Sequence, residues 1–351
     1  MGDTQMKCGS DRWTRRAARA FGPYWSLLAL AIVLVAGAPA NAQTKWDYTK
    51  VVGPEKCAEC HKPTVAIWKN THHYTTFTEL PRRKEANEIA QKMGLKRIKA
   101  GSLCLDCHFT TVVKDGKREA VAGISCESCH GPAAGYLKRH SEFSGKKKGT
   151  ETEAEKKQRW ADSEAAGMIR PKNIYAWAKN CYNCHVVPQE KLVNVGGHTA
   201  GSAFELVTWS QGEIRHNVWY TEGKSNPLAS PEQRRVMFLV GLGVELETAL
   251  RAVGEATQKD KYAVAMAQRA KRGELIFAKL AQTISLPEID DILAAAKTAK
   301  LKLNNKAELN ATADKVAEAT KSIATKYDGS KLAALDALIP GKDKYKGTPK
   351  Q

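Results

Sequence analysis

Four copies of the motif Cys-x-x-Cys-His constrain this 351-residue chain more than any other feature. Each copy has two thiols three positions apart, with a histidine directly behind the second thiol. The chain contains nine cysteines and nine histidines, so random placement would give far less than one copy. The motifs occupy residues 57–61, 104–108, 126–130 and 181–185. This spacing is that of covalent haem c attachment.

The chemistry of haem c explains each position of the motif. Two thiols add across the two vinyl groups of one haem, and the adjacent histidine supplies the proximal nitrogen of the iron. We therefore predict four covalently attached haem c groups, each with its iron. The predicted thioether residues are Cys57, Cys60, Cys104, Cys107, Cys126, Cys129, Cys181 and Cys184. The predicted proximal ligands are His61, His108, His130 and His185.

Two other uses of paired cysteines explain the pattern less well. Structural zinc sites combine such pairs, and a thioredoxin-like centre needs one pair near a strand–helix junction. Neither explains a histidine behind every second thiol. Eight cysteines are used by the motifs and the ninth, Cys8, lies in a segment expected to be removed, so no structural disulfide is predicted.

The first 42 residues are typical of an export signal. Four arginines between residues 12 and 19 precede the apolar run SLLALAIVLVAGA and the small residues Ala40-Asn41-Ala42. We predict cleavage after Ala42 and a periplasmic protein. The alternative is a retained membrane anchor. The apolar run is short for this role, because a membrane span needs about 20 apolar residues. Membrane contact is expected only if the signal is retained.

The net charge of +18 bears on binding partners. An exported chain rarely meets nucleic acid, and no nucleic-acid-binding motif is present, so a nucleic-acid partner is not expected. The positive charge is interpreted first as solvation and second as docking of acidic redox partner proteins.

The composition changes near residue 225. All nine histidines and the eight motif cysteines lie at or before His216, in a stretch rich in loops. Beyond it, Ser230-Pro231 is a good helix start, and apolar spacing predicts helices over roughly 261–282, 286–300 and 306–325. We predict a mainly α fold: a loop-rich multihaem cytochrome domain (43–224) followed by a helical bundle (225–351). The bundle is interpreted as a docking or oligomerisation module, so a homo-oligomer is one expected state.

Four irons accept up to eight axial ligands, and the motifs supply four. Five histidines remain, namely His72, His73, His140, His198 and His216. Spare imidazoles beside haems are candidate distal ligands.

Residues 45–215 resemble the cytochrome c-554 family of tetrahaem electron carriers. The resemblance rests on KPTVAIWKNTHH after the first motif, on GISCESCHGP around the third, and on His140 ten residues after His130. GGHTAGSAFEL after the fourth motif looks like a segment of related multihaem cytochromes whose histidine is a ligand. These resemblances imply that His73, His140 and His198 are distal ligands, and that His72 is solvated or hydrogen-bonded. The resemblance to the cytochrome c-554 family also implies that the iron beside His108 lacks a protein sixth ligand. His216 has no counterpart in these spacings and is the one residue left that could close that position.

The function expected from these residues is transfer of single electrons between redox partners, because an iron with two histidine ligands has no open position. One alternative is a reductase of a small nitrogen oxide or peroxide at a five-coordinate haem. Another is a subunit of a conducting cytochrome filament, with a distal histidine donated between subunits. No catalytic residues are predicted.

Overall fold

The computed structural model of the protein describes residues 46–100 and 103–348. Within these ranges the chain is mainly helical, with fourteen α-helices and one two-stranded sheet, which confirms the predicted fold class. None of the helices in these ranges combines the length and the hydropathy that crossing a membrane requires. The predicted signal segment, its cleavage site and Cys8 lie outside the described residues.

The first half of the haem part, up to the second motif, is built from short helices. They are α1 (Pro54–Ala58), α2 (Lys62–Trp68), α3 (His72–Glu79), α4 (Lys84–Lys92) and α5 (Cys104–His108). A hairpin of β1 (Thr110–Lys114) and β2 (Lys117–Ala122) follows. Its two turn residues, Asp115 and Gly116, both have positive φ, as the tight turn between twisted strands requires.

The second half of the haem part contains five more helices. They are α6 (Cys126–His130), α7 (Glu153–Ala165), α8 (Ile174–His185), α9 (Glu190–Asn194) and α10 (Leu206–Ser210). The charged stretch 146–160 leads into α7, whose start is fixed by a capping box between Thr152 and Glu155. The haem part has a small apolar core of its own, formed by Ala90, Ile98, Leu105 and Phe109.

The remaining helices form the bundle. They are α11 (Pro231–Glu255), α12 (Lys261–Thr283), α13 (Pro287–Thr298) and α14 (Lys306–Lys326). Ser230 caps α11 by accepting a hydrogen bond from the backbone N–H of Gln233 at 3.2 Å. Contacts run from α11 to α12, α12 to α13, α13 to α14 and α14 back to α11, which closes a ring of four helices. The predicted segments agree with α12–α14 to within two residues at every end.

Helix α11 is buried on almost every side because it has neighbours in both parts of the chain. It contacts α12 and α14 of the bundle, and also α8 and α10 of the haem part. Two glycines allow this close approach. A Cβ on Gly241 would lie 2.8 Å from Cβ of Leu206 in α10, and one on Gly243 would overlap Thr320 in α14. One large apolar core therefore runs from α8 through the bundle, across the boundary predicted near residue 225.

Candidate haem sites

Each of the four motifs is folded as one turn of helix. Helices α5, α6 and α8 end at their motif histidines, His108, His130 and His185. In the first motif the backbone N–H of His61 donates to the carbonyl of Cys57 at 2.9 Å, which is the same helical turn. The turn brings both thiols and the imidazole of a motif to one side of the backbone, as attachment to a single haem requires.

Each motif histidine faces one of the spare histidines. We number the sites 1 to 4 by the order of their motifs. The facing pairs and the distances between their ring centroids are His61 and His140 (site 1, 6.3 Å), His108 and His198 (site 2, 6.2 Å), His130 and His216 (site 3, 6.1 Å), and His185 and His73 (site 4, 6.4 Å). Four separate pairs at nearly one distance indicate a repeated ligand geometry.

This distance suits two imidazoles on opposite sides of one metal ion. Bonds from a metal to imidazole nitrogen are about 2.0–2.1 Å long. Each ring nitrogen lies about 1 Å from its ring centre, so two trans imidazoles have centroids about 6 Å apart. The gap in each pair is therefore the size that an iron needs, and these residues fit a haem held between two histidines.

The ring nitrogens of five of these histidines are also arranged for metal binding. Their Nδ1 atoms lie within hydrogen-bonding distance of a protein oxygen, which leaves Nε2 as the free ligand atom. The pairs are His130 with the Ile169 carbonyl (3.0 Å), His140 with that of Tyr136 (3.1 Å), His198 with that of Thr199 (2.8 Å), His216 with that of Ile214 (2.6 Å), and His185 with Ser202 Oγ (2.8 Å).

Burial keeps most of these imidazoles neutral, the form that binds a metal. It lowers the pKa of His108 and of His130 to about 4, and that of His185 to about 3, with neighbouring histidines adding to the effect. Burial also lowers the pKa of three further candidate ligands, His61, His73 and His216.

The four sites are arranged in a definite order. Helix α1, with Cys57 of site 1, contacts α6 of site 3, which begins at Cys126. Helix α6 contacts α8 of site 4, where the amide of Asn180 donates to the carbonyl of Cys129 at 3.2 Å. Helix α8, with Cys184 of site 4, contacts α5 of site 2, which contains Cys107. The spatial order is thus 1–3–4–2 rather than the order of the motifs.

The positions of the spare histidines bear on the expectations from sequence. His73, His140 and His198 each face a motif histidine, but none faces the motif that precedes it most closely in the chain. His72 stands apart: its Nδ1 lies 2.9 Å from the buried carboxylate of Glu213. His198 lies opposite His108, at the position that the family resemblance leaves open. His216 faces His130 instead of closing that position.

One buried carboxylate near sites 1 and 3 was not anticipated from sequence. Glu127, between the two thiols of the third motif, is 1 % exposed. It accepts backbone N–H bonds from Gly53 (2.7 Å), Val52 (3.0 Å) and Ala133 (2.7 Å). These bonds tie the third motif to the segment just before the first motif. This burial could not be foreseen from the sequence, since glutamates are mostly exposed in folded proteins.

Comparison with known proteins finds relatives of the segment that holds the first three motifs. Residues 56–131 match the family model described as cytochrome c554 and c-prime. Cytochrome c-554 of Nitrosomonas europaea is 31% identical over 96 residues. Residues 56–131 are thus similar to the cytochrome c554 family. They contain the motifs of sites 1 to 3 and the distal candidate His73, and the similarity indicates c-type cytochrome chemistry with covalently bound haem c.

The cytochrome c554 match is partial. The aligned region is 25% of this chain, and it spans 41% of the length of the Nitrosomonas protein. The fourth motif, the histidines at 140, 198 and 216 and the whole bundle lie beyond the family match. No solved structure matches the chain significantly. The roles of these outer residues therefore rest on the geometry of this chain.

Proposed function

We propose that the protein is a periplasmic tetrahaem c-type cytochrome that carries single electrons between redox partners. The observation that carries this proposal is the set of four histidine pairs, each with centroids 6.1–6.4 Å apart. When bound, haem c supplies an iron that gains or loses one electron at a time. The chain supplies two thiols for each such haem and two imidazoles for its iron.

The paired histidines are the reason why we propose electron transfer rather than catalysis. An iron held with an imidazole on each face would have no position for a substrate, so it would change its charge but not its ligands. The hydrogen bonds to Nδ1 hold the rings in place and would keep these ligands the same in both oxidation states. Small rearrangement on reduction is what an electron carrier requires.

The order 1–3–4–2 makes a continuous route through the molecule. The contact of α1 with α6 brings sites 1 and 3 together, and the contact of α5 with α8 brings sites 2 and 4 together. Helices α6 and α8 connect the two pairs. In this proposal sites 1 and 2 are the ends of the route and are therefore where electrons enter and leave.

The positions of the facing histidines favour neither alternative function, the reductase or the filament subunit. A reductase needs an open iron, and the site chosen for it, beside His108, has His198 opposite. A filament with shared ligands needs a histidine from a second chain, whereas all four facing histidines here come from the same chain. Both observations support the carrier.

Charge around site 2 supports an acidic redox partner there. Residues 82–99 carry a net charge of +5, from seven basic and two acidic residues, and most of the basic side chains are exposed. Arg83 lines a cavity together with His108, and Lys92 lies beside Gly197, next to His198. Basic side chains thus border both histidines of site 2. Positive potential at this end of the route would steer an acidic partner towards it.

The haem count tests the proposal first. We expect mass spectrometry of the exported protein to show four haem masses on a chain that begins at Gln43, because all four motifs are complete and folded as one helical turn. A reductive titration of the same sample should consume four electrons per chain. Three or fewer haems on fully matured protein, or fewer than four electrons, would contradict the tetrahaem carrier.

A further inference from the structure

We infer that Arg269 of the C-terminal bundle is a positioning residue for site 4, and that its charge raises the reduction potential of the iron bound by His185. This inference rests on the proposed function, since it concerns the iron that the His185–His73 pair would hold. It gives the bundle a role in electron transfer that neither the motifs nor the family match assigns.

Site 4 is linked to the bundle through one short segment. Ser202 Oγ lies 2.8 Å from Nδ1 of His185, and the backbone N–H of Ser202 donates to the His185 carbonyl at 3.0 Å. With Nε2 directed to a metal, Nδ1 carries the proton and donates a hydrogen bond to the Ser202 hydroxyl. Arg269 of α12 then donates from Nη2 to the Ser202 carbonyl at 3.0 Å. Arg269 thus holds the residue that orients the proximal imidazole.

Close approach between these segments depends on Gly201. Its φ is +147°, and a Cβ there would lie 2.7 Å from the His185 carbonyl oxygen and 3.0 Å from Nη2 of Arg269. The backbone of Gly201 also forms a bridge with Val186, the residue after the proximal histidine. The arginine therefore lies directly against the backbone that carries the ligand.

The charge of Arg269 is poorly screened by solvent. Its side chain is 13% exposed, and Nη1 lies 2.7 Å from Glu245 Oε1, whose side chain is 9% exposed. Glu245 is shared with a second arginine, Arg272, which is 56% exposed. Within this cluster, Arg269 is the charge that acts on the His185 imidazole. A nearby cation disfavours the more positive ferric state, and does so more strongly where water is excluded.

Arg269→Gln in the four-haem protein tests the inference by spectroelectrochemical redox titration. We expect all four low-spin haems to remain and one midpoint potential to fall, with the equilibrium constant for reducing that haem lowered about tenfold, which is 59 mV for one electron. The other three potentials should stay in place. Arg269→Lys keeps the charge, so its potential should lie closer to that of the unmodified protein.

Arg272→Gln is the matched control, because it removes the other arginine of the same carboxylate but has no bond to Ser202. It should leave all four potentials unchanged. Unaltered potentials in Arg269→Gln, or an equal fall in Arg272→Gln, would overturn the inference while four low-spin haems still supported the carrier. If Arg269→Gln does not mature, Arg269→Lys decides. A lowering of the equilibrium constant by about tenfold in Arg269→Lys would show that the charge is not responsible. Fewer than four low-spin haems in the unmodified protein would instead count against the proposed function itself.

Discussion

Changing His198 to alanine should convert one of four low-spin haems to the high-spin form and leave the other three unaffected. His198 is the residue opposite His108, with ring centroids 6.2 Å apart, so its removal leaves one face of the site 2 iron without an imidazole. The iron should then bind carbon monoxide when reduced. Absorption spectra of oxidised protein, and of reduced protein with carbon monoxide, measure both changes.

His72→Ala is the control for this variant. His72 is also a spare histidine, but its side chain is 78% exposed and its ring is directed to the carboxylate of Glu213 rather than to a motif histidine. We expect its spectra to match those of the unmodified protein. An unchanged spectrum in His198→Ala would show that site 2 has no histidine opposite His108, and would restore the open position that the family resemblance implies.

Ending the chain after Ser225 should have the second large effect, the loss of at least one low-spin haem and of most soluble protein. Sequence alone favoured the opposite result, because no cysteine or histidine lies beyond residue 216. The structure changes that expectation: the fourth motif lies on α8, and α8 packs against α11 of the bundle.

The size of this effect follows from what the bundle covers. Tyr182, Val186, Leu206 and Val207 are at most 1% exposed and share one core with α11. Exposing an apolar side chain of this size costs about 1.5–3 kcal/mol, so four of them approach the total stability of about 5–15 kcal/mol of a typical domain. Polar links would be lost as well, since Glu247 of α11 accepts hydrogen bonds from Tyr175 (2.8 Å) and Lys179 (2.6 Å) of α8.

Yield, haem mass and absorption spectra of the shortened chain measure the outcome. Covalent attachment alone does not require the folded bundle, so the mass can still show haem, and the low-spin spectrum is the decisive signal. A soluble fragment with four low-spin haems would contradict the account. It would show that the haem part folds without α11 and would support an independent domain boundary near residue 225.

The sequence predicts this fold where the signals are local. Each Cys-x-x-Cys-His motif specifies its own chemistry, and apolar spacing with the Ser230 cap predicts the bundle helices, because helix start and periodicity are properties of neighbouring residues. The covalent haem c expected from the motifs agrees with the family match over residues 56–131.

Contacts between residues far apart in the sequence could not be predicted from such local signals. The spacing of His140 after His130 suggests no partner 79 residues earlier, yet the structure places it opposite His61. Glu127 and Arg269 look like ordinary surface charges, and only packing brings one under the first motif and the other against Ser202. Such pairings are set by how short helices stack, which sequence periodicity does not encode.

The central claim is that all four irons have a histidine on each face. Electron paramagnetic resonance of the fully oxidised four-haem protein tests it most directly, followed by carbon monoxide addition after reduction. We expect only low-spin signals, with the strongest anisotropy from site 3, where the two imidazole planes meet at 84° against 14° in site 1. Carbon monoxide should leave the reduced spectrum unchanged. A high-spin signal from one haem per chain, together with stoichiometric carbon monoxide binding, would contradict the claim.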